Sequence, residues 1–485
     1  MSKIDLGLTD IRGAFPKDFT EAQLAKGQTL FLKELAGDVH KYYGGKMVTV
    51  PKCGFYGWNW YNVYYTPGVS KISTSIRDDN RTSFDITNRG NFVAVVSDST
   101  RVLGDGDCTP SGGLGVMEGK AYLMKTLAGI DAVALCVNSY NEKGEHDADK
   151  IIDFVRMLTP SFGAVNLEDI SQPNCFKVLD DLQDCDIPVW HDDAQGTACV
   201  TLAGLINALK LVDKPIGDIS MAFLGAGASN TTCCRLIVAA GGDPERIVMC
   251  DSKGGLHTGR EDIKADTRFY RKWEICESTN KKKVDNIVDA MKGADLLVAL
   301  STPGPGVVKG EWVKGMADKS IVFACSNPVP EIYPYEAKEA GAYIVATGRG
   351  DFPNQVNNSL GFPGILKGAL TVRASKVTDN MAITAARSIA KTGERLGIHP
   401  EKISPLMSEL EVFPQEAADV AMQAIEDGVA RVQMTAEEVF KKTEDDIKES
   451  TALYSSLMEA GFIKQPPIEM LEGALKRAVD AVLSS

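Results

Sequence analysis

The sequence predicts an α/β fold built on two parallel sheets and finished by helices, and three observations carry that reading. Short apolar strands alternate with helical stretches from residue 91 to about 190, and again from about 219 to 347. Strand, loop and helix in that order place helices on the faces of a parallel sheet. From about residue 365 apolar positions recur three or four apart to the end, which is helical spacing. The 485 residues exceed one core, and the boundaries expected are 1–195 for an N-terminal α/β domain, 196–364 for a second α/β domain and 365–485 for a helical region.

The first eighty residues combine a helical stretch, "EAQLAKGQTLFLKEL", with an aromatic run, "CGFYGWNWYNVYYTPG". Aromatic runs usually form core or contact surface. The first strand series is "NFVAVVSD", "DAVALCV", "FGAVNLE" and "DIPVWH", with "DKIIDFVRML" and "FKVLDDLQ" as helices between. The helix "TACVTLAGLINALKLV" follows, and the turn "KPIGD" at 214–218 separates the two series. The second series is "ISMAFLGAG", "RIVMCD", "DLLVAL", "SIVFACSNP" and "AYIVATG", whose continuous apolar content suits strands buried on both faces. "MAITAARSIAKTGERLG" and "EMLEGALKRAVDAVL" belong to the closing helices.

Charge and composition exclude several classes. Asp and Glu outnumber Lys and Arg by 65 to 52, which leaves a net charge of −13 and no basic footprint for nucleic acid. The start of the chain has no apolar secretory core, and no run reaches the ~18 apolar residues of a membrane helix. A cytoplasmic protein without a membrane partner is expected. Eleven cysteines without a CxxC pair read as reduced packing residues. The five histidines, His40, His146, His191, His257 and His399, show no zinc-binding spacing.

A dinucleotide signal lies in "FLGAGASNTTCCRLIVAAGG". Gly225 and Gly227 stand where a strand meets a helix, so bare backbone can approach a pyrophosphate and helix N–H groups can face its charge. Asn230 replaces the third glycine of the usual pattern, which puts the close helix-to-strand approach in question. Asp251 ends the next strand, where an acid can bond a ribose 2′-hydroxyl, but Lys253 follows it and could hold a 2′-phosphate. A Rossmann-like doubly wound sheet is expected here, with NAD and NADP both open.

Four acids close two apolar runs: Glu168 and Asp169 after "FGAVNL", Asp192 and Asp193 after "PVWH". Carboxylates gathered from Glu168, Asp169 and Asp193 would suit magnesium or manganese, because hard cations take oxygen ligands. Spacing alone leaves open that they merely end strands at a wet edge. Tyr65 precedes a turn, and Lys120 sits in "GVMEGKAYLMK", where apolar helical neighbours would desolvate the amine and lower its pKa. Arg101 in "TRVLGDGD" could fork onto a carboxylate or cap a turn.

Taken in order, "YTPGV", "VAVVSDSTRVLGDGD", "VMEGKA", "NLEDI", "HDDAQGTA", "GAGA", "CSNPVPEIYP" and "ATGRGDFPNQVNNSLGFPG" resemble the malic enzymes, especially the shorter prokaryotic-type form. The likeness runs from about residue 45 to 430. It implies oxidative decarboxylation of L-malate to pyruvate and carbon dioxide, with NAD or NADP and Mg2+ or Mn2+. Carried onto these positions, the resemblance implies Glu168, Asp169 and Asp193 as metal ligands, Tyr65 as acid, Lys120 as base and Asp192 as proton relay. It further implies Arg101, Asn327 and Asn358 as substrate contacts. Gly225, Ala226, Gly227, Ala228, Asp251, Asn327 and Asn357 would hold the dinucleotide, and the chain would form a homodimer. Malolactic chemistry, a metal-dependent decarboxylase without redox and a non-catalytic sensor are the competing readings.

Overall fold

A computed structural model describes residues 4–484. Its first sheet holds β1 (Phe92–Ser97), β2 (Asp131–Cys136), β3 (Ala164–Leu167) and β4 (Val189–His191), all parallel, in the order β2-β1-β3-β4. The second holds β5 (Met221–Leu224), β6 (Ile247–Asp251), β7 (Gly254–Gly255), β8 (Leu296–Ala299), β9 (Ile321–Ala324) and β10 (Ile344–Thr347), in the order β10-β9-β8-β5-β6-β7. Five of those six strands are parallel; β7 turns back antiparallel on β6 in a hairpin the sequence pattern did not signal.

Register explains where chemistry can gather. In the first sheet Val96 lies beside Leu167, and Leu167 beside His191, so the residues that follow β1, β3 and β4 emerge at one carboxyl edge. In the second, β5 has β6 on one side and β8 on the other, which opens a crevice beyond the carboxyl ends of β5 and β8. The central strands β3 and β9 are buried throughout and β1 is buried past Phe92, whereas the edge strand β2 is half-buried along its length.

The helix Thr197–Val212 lies between the two series in sequence. With the turn before it, the segment Asp192–Val212 is long and apolar enough to cross a membrane, yet 78% of its most apolar window is buried inside the protein. It is a core helix, packed against Ala228–Ala239 and Asp379–Arg395.

Residues 51–448 form one compact unit, and residues 1–50 with 449–485 form another. In the second of these, Glu21–Tyr43 packs on Ile468–Leu483 through Phe31, Leu35, Leu471 and Leu475, and Arg477 reaches Glu34 at 2.6 Å. The long-range pairing of first and last helices is invisible to local periodicity.

Within residues 51–448, helix Phe362–Thr371 lies close to Val412–Glu426 because glycines face it. A Cβ built at Gly368 would stand 2.5 Å from the Ala417 carbonyl oxygen, a backbone atom that cannot step aside. Overpacking of this kind costs about 1–3 kcal/mol. Gly368→Ala should therefore lower the thermal unfolding temperature clearly, and an unchanged melting curve would show that the helices are not in close contact.

Candidate active site

The carboxyl edge of the first sheet brings together what the sequence scattered. Glu168 follows β3 directly and is buried; its Oε2 accepts from Asn166 Nδ2 at 3.0 Å. Asp169, next in the chain, takes a left-handed backbone at φ 54°, and its N–H donates to Asp193 Oδ2 at 2.7 Å. One oxygen each from Glu168, Asp169 and Asp193 lies within 4.8 Å of the others. Burial and then the charge of Asp193 push the Asp169 carboxyl up to about 8, and burial raises Glu168 well above its ordinary range.

Such a trio is unfavourable as three bare anions. Asp169 Oδ2 is buried and has no hydrogen-bond partner among the described residues, which leaves a lone pair aimed at nothing in the protein. Three oxygen donors of hard character, one of them orphaned, fit a divalent cation such as Mg2+ or Mn2+.

Strand β4 passes into the next helix through a π-helical turn, Asp192–Gly196. The turn separates its two acids. Asp193 faces the Asp169 N–H, while Asp192 is fully buried, accepts from Trp190 Nε1 at 3.2 Å through Oδ1, and takes a bond from Lys120 Nζ on Oδ2. Gly196 is required for this: a Cβ there would lie 1.9 Å from Asp192 Oδ1, and 3.4 Å from Asn358 Cβ on the far side. Asn358 thus packs against Gly196, at the end of the turn that begins with Asp192.

Lys120, on helix Leu114–Ala128, also lies 3.1 Å from Glu168 Oε1 and sits over the Phe362 ring at 4.7 Å. The expectation of a lowered pKa is corrected here. Burial does oppose the ammonium, but Asp192, then Glu168 and Asp193, outweigh it and raise the Lys120 pKa above its usual value. Apolar sequence neighbours did not reveal three acids arriving from other strands.

The second sheet supplies the facing wall. Gly225 has φ 95°, and a Cβ on it would stand 2.4 Å from the Leu300 carbonyl, so only glycine fits where β5 passes β8. Ala226 is buried beneath the turn, and Gly227 and Ala228 open the following helix, whose N–H groups face the crevice mouth. Asn230 replaces the third glycine without loss of the turn, because its Nδ2 donates to both Leu224 O and Gly225 O at 2.9 Å. It pins the loop by hydrogen bonds.

Across the crevice, Gly104 of the loop after β1 rests against the Asn327 carbonyl; a Cβ would meet that oxygen at 2.5 Å. Glu331 ties the loops after β8 and β9 together, accepting from Ser301 N at 2.8 Å and Ser326 Oγ at 2.6 Å. The Asn327 side chain lies against Gly348, and Asn357 donates to Gly348 O at 3.3 Å while capping the turn at Ser359. Asp251 is bound by Arg260 through both oxygens.

Two expected residues are not gathered within one chain. Tyr65 is 70% exposed, and its hydroxyl bonds to none of the site's side chains. Arg101 is exposed, although its backbone N–H anchors the loop to Asp169 O at 2.9 Å. Sequence reasoning missed Asn166, Trp190, Phe362, Gly196 and Glu331. Of these, Glu331 lay inside the quoted "CSNPVPEIYP" and Phe362 inside "NSLGFPG", where a buried acid or aromatic beside a glycine turn was the available signal.

Comparison with known proteins agrees with this arrangement. Residues 59–183 match the family described as malic enzyme, N-terminal domain, and residues 194–426 match malic enzyme, NAD binding domain. The bifunctional malic/malolactic enzyme of Bacillus subtilis is 42% identical over 85% of this chain and 98% of its own. The crystal structure of the Entamoeba histolytica malic enzyme superposes with a TM-score of 0.98 at 62% identity, covering 99% of this chain and 100% of that one. The Pyrococcus horikoshii malic enzyme structure gives 0.81 at 41% identity, covering 86% and 95%. With two sheets meeting at one crevice, a carboxylate trio on one wall and a glycine turn on the other, the chain belongs to the malic enzyme family of nicotinamide-dependent oxidoreductases.

Proposed function

We propose that this chain converts L-malate to pyruvate and carbon dioxide, reducing NAD or NADP, with Mg2+ or Mn2+ held by Glu168, Asp169 and Asp193. The buried contact of Lys120 with Asp192 beside that carboxylate trio carries the reading. A bound cation would offset the carboxylates and supply Lewis-acid polarisation of the substrate oxygens, and a bound nicotinamide would supply the hydride acceptor.

Lys120 takes the C2 hydroxyl proton, having first passed its own to Asp192, which Trp190 holds in place. The C3–C4 bond then breaks, carbon dioxide leaves, and its electron pair remains as the enolate of pyruvate. Tyr65 protonates C3 of that enolate. Asn358 and Asn327 orient the diacid from the side of the second sheet, and Arg101 takes a carboxylate at the cleft mouth. Gly225, Ala226, Gly227, Ala228, Asp251, Asn327 and Asn357 would hold the dinucleotide, its pyrophosphate at the glycine turn.

Because Tyr65 stands apart from Lys120 in one chain, the working unit in this proposal is a homodimer in which each copy lends Tyr65 to the other. The segment from Phe55 to Tyr65 supports it: its rings pack edge-on or tilted against one another, and Trp58 is 79% exposed. Monomers rarely leave so large an aromatic face in water. Apart from the end unit of residues 1–50 and 449–485, the stretch to residue 195 then acts as the malate and metal domain, 196–364 as the dinucleotide domain and 365–448 as its closing helices. Eleven free thiols support a reducing cytoplasm, and the charge of −13 argues against nucleic acid. Neither sheet presents a membrane-facing surface in this reading; the partners are small molecules and a second copy.

Three measurements test this. Lys120→Met should reduce malate oxidation by about a hundredfold or more while manganese still binds; unchanged turnover would reject the base. Manganese should raise the melting temperature of the wild type and not of Asp193→Asn, and an equal rise in both would remove Asp193 from the ligands. Coexpressed Tyr65→Phe and Lys120→Met chains should recover about a quarter of wild-type turnover through mixed dimers, whereas no recovery would place both residues in the same chain. Accumulation of lactate without reduced cofactor in the first assay would favour the malolactic outcome.

A further inference from the structure

Four side chains at the carboxyl edge of the first sheet, Asp98, Ser139, His146 and Asp107, form a hydrogen-bonded chain that the proposed mechanism does not use. Asp98 follows β1 and is fully buried; its Oδ1 accepts from Thr100 N at 3.2 Å and from Thr100 Oγ1 at 2.6 Å. Its Oδ2 accepts from Ser139 Oγ at 3.0 Å, and Ser139, also fully buried, lies 2.7 Å from His146 Nδ1. The other ring nitrogen, Nε2, lies 3.1 Å from Asp107 Oδ2.

The polarity of this chain follows from its members. A carboxylate only accepts, and a hydroxyl has one proton to give. Ser139 therefore donates to Asp98 and accepts from Nδ1, while Asp107 accepts from Nε2. Both ring nitrogens then donate, which only the imidazolium does. Carboxylates flank it on both sides, with Asp98 Oδ2 standing 3.7 Å from Nδ1 beyond the Ser139 bond. Tyr140 lays its ring on His146 with centroids 4.3 Å apart, and Lys150, on the following helix Ala148–Leu158, turns its ammonium to the Tyr140 carbonyl.

His146 is itself held in place. Tyr140 and His146 pair across their loop, Asp147 N donates to Ser139 O at 3.0 Å, and Asn174 Nδ2 donates to His146 O at 3.2 Å. Asp107, by contrast, is half-exposed and belongs to the loop 98–109, which also carries Arg101 and Gly104. The outgoing half of that loop is tied to the acids through Arg101 N and Asp169 O at 2.9 Å. Its returning half bonds back to the loop itself, Val102 N to Gly106 O at 2.9 Å and Cys108 N to Ser99 O at 3.0 Å. The bond from His146 to Asp107 joins this returning half to the residues beyond β2.

Resting on the reading of Arg101 as a substrate contact, we propose that His146, as an imidazolium, is a positioning residue that clamps the loop 98–109 and so fixes Arg101 toward a malate carboxylate. The ring bridges a buried hydroxyl and a surface carboxylate with two donors of fixed geometry. When it loses one proton, one of the two bonds fails and the bridge opens.

Steady-state kinetics of the full chain with malate, manganese and the better of NAD and NADP tests this. His146→Gln and Asp107→Ala should each raise KM for malate about tenfold, while kcat and KM for the dinucleotide stay within about twofold. The double variant should be no worse than the more affected single one. As the pH rises, the ratio of variant to wild-type KM should shrink, because the wild-type ring then gives up the proton that the bridge needs. Asp107 is at the surface, so its variant carries the test should His146→Gln not fold. Unchanged KM for malate, an equal loss across all three constants, additive effects or a ratio indifferent to pH would each overturn this role in a working enzyme. A wild type that oxidises no malate would instead overturn the proposed function, and this role with it.

Discussion

Everything in this crevice depends on a balance of charge inside a nearly dry space. Glu168, Asp169, Asp192 and Asp193 are drawn from the ends of two neighbouring strands, and within the protein Lys120 is the cation set among them. Like charges at such distances are costly in a medium that screens poorly. The fold meets that cost with Lys120, with donors from Asn166, Trp190 and the Asp169 backbone, and with room for a divalent ion. The same crowding makes the lysine useful, since small changes in its surroundings decide which group holds the proton.

The second sheet depends on this balance less for charge than for position. Its loops must stand close to the acids without adding further charge, and they do so through backbone and neutral side chains: the Gly225 turn, Asn327 and Asn358. Glu331 is no exception: its carboxyl is buried and consumed by Ser301 and Ser326, so it braces two loops. Gly104 against the Asn327 carbonyl closes the gap between the walls.

Much of this was legible beforehand, and the failures share one cause. Continuous apolar runs alternating with helical stretches located both sheets, because burial of a strand is written in its own residues. Four acids at strand ends pointed to one edge, because parallel strands end together. Lys120 was misjudged because its helix advertises apolar company, while the groups that set its protonation come from β3 and β4. Asn230 puts the close approach in question from sequence alone, because a motif records side-chain absence and not the hydrogen bonds a replacement can make. Tyr65 is exposed, and nothing local in the sequence says which neighbours an exposed side chain serves.

The π-helical turn at Asp192–Gly196 has a wider meaning for how such a centre can arise. A turn of this kind accommodates one residue more than an ordinary helical turn. Within it adjacent acids serve unlike neighbours, one a tryptophan and an ammonium, the other a backbone amide and two carboxylates. A single codon inserted at the head of an existing helix would suffice to form such a turn, leaving the hydrophobic stripe of Thr197–Val212 in its original phase.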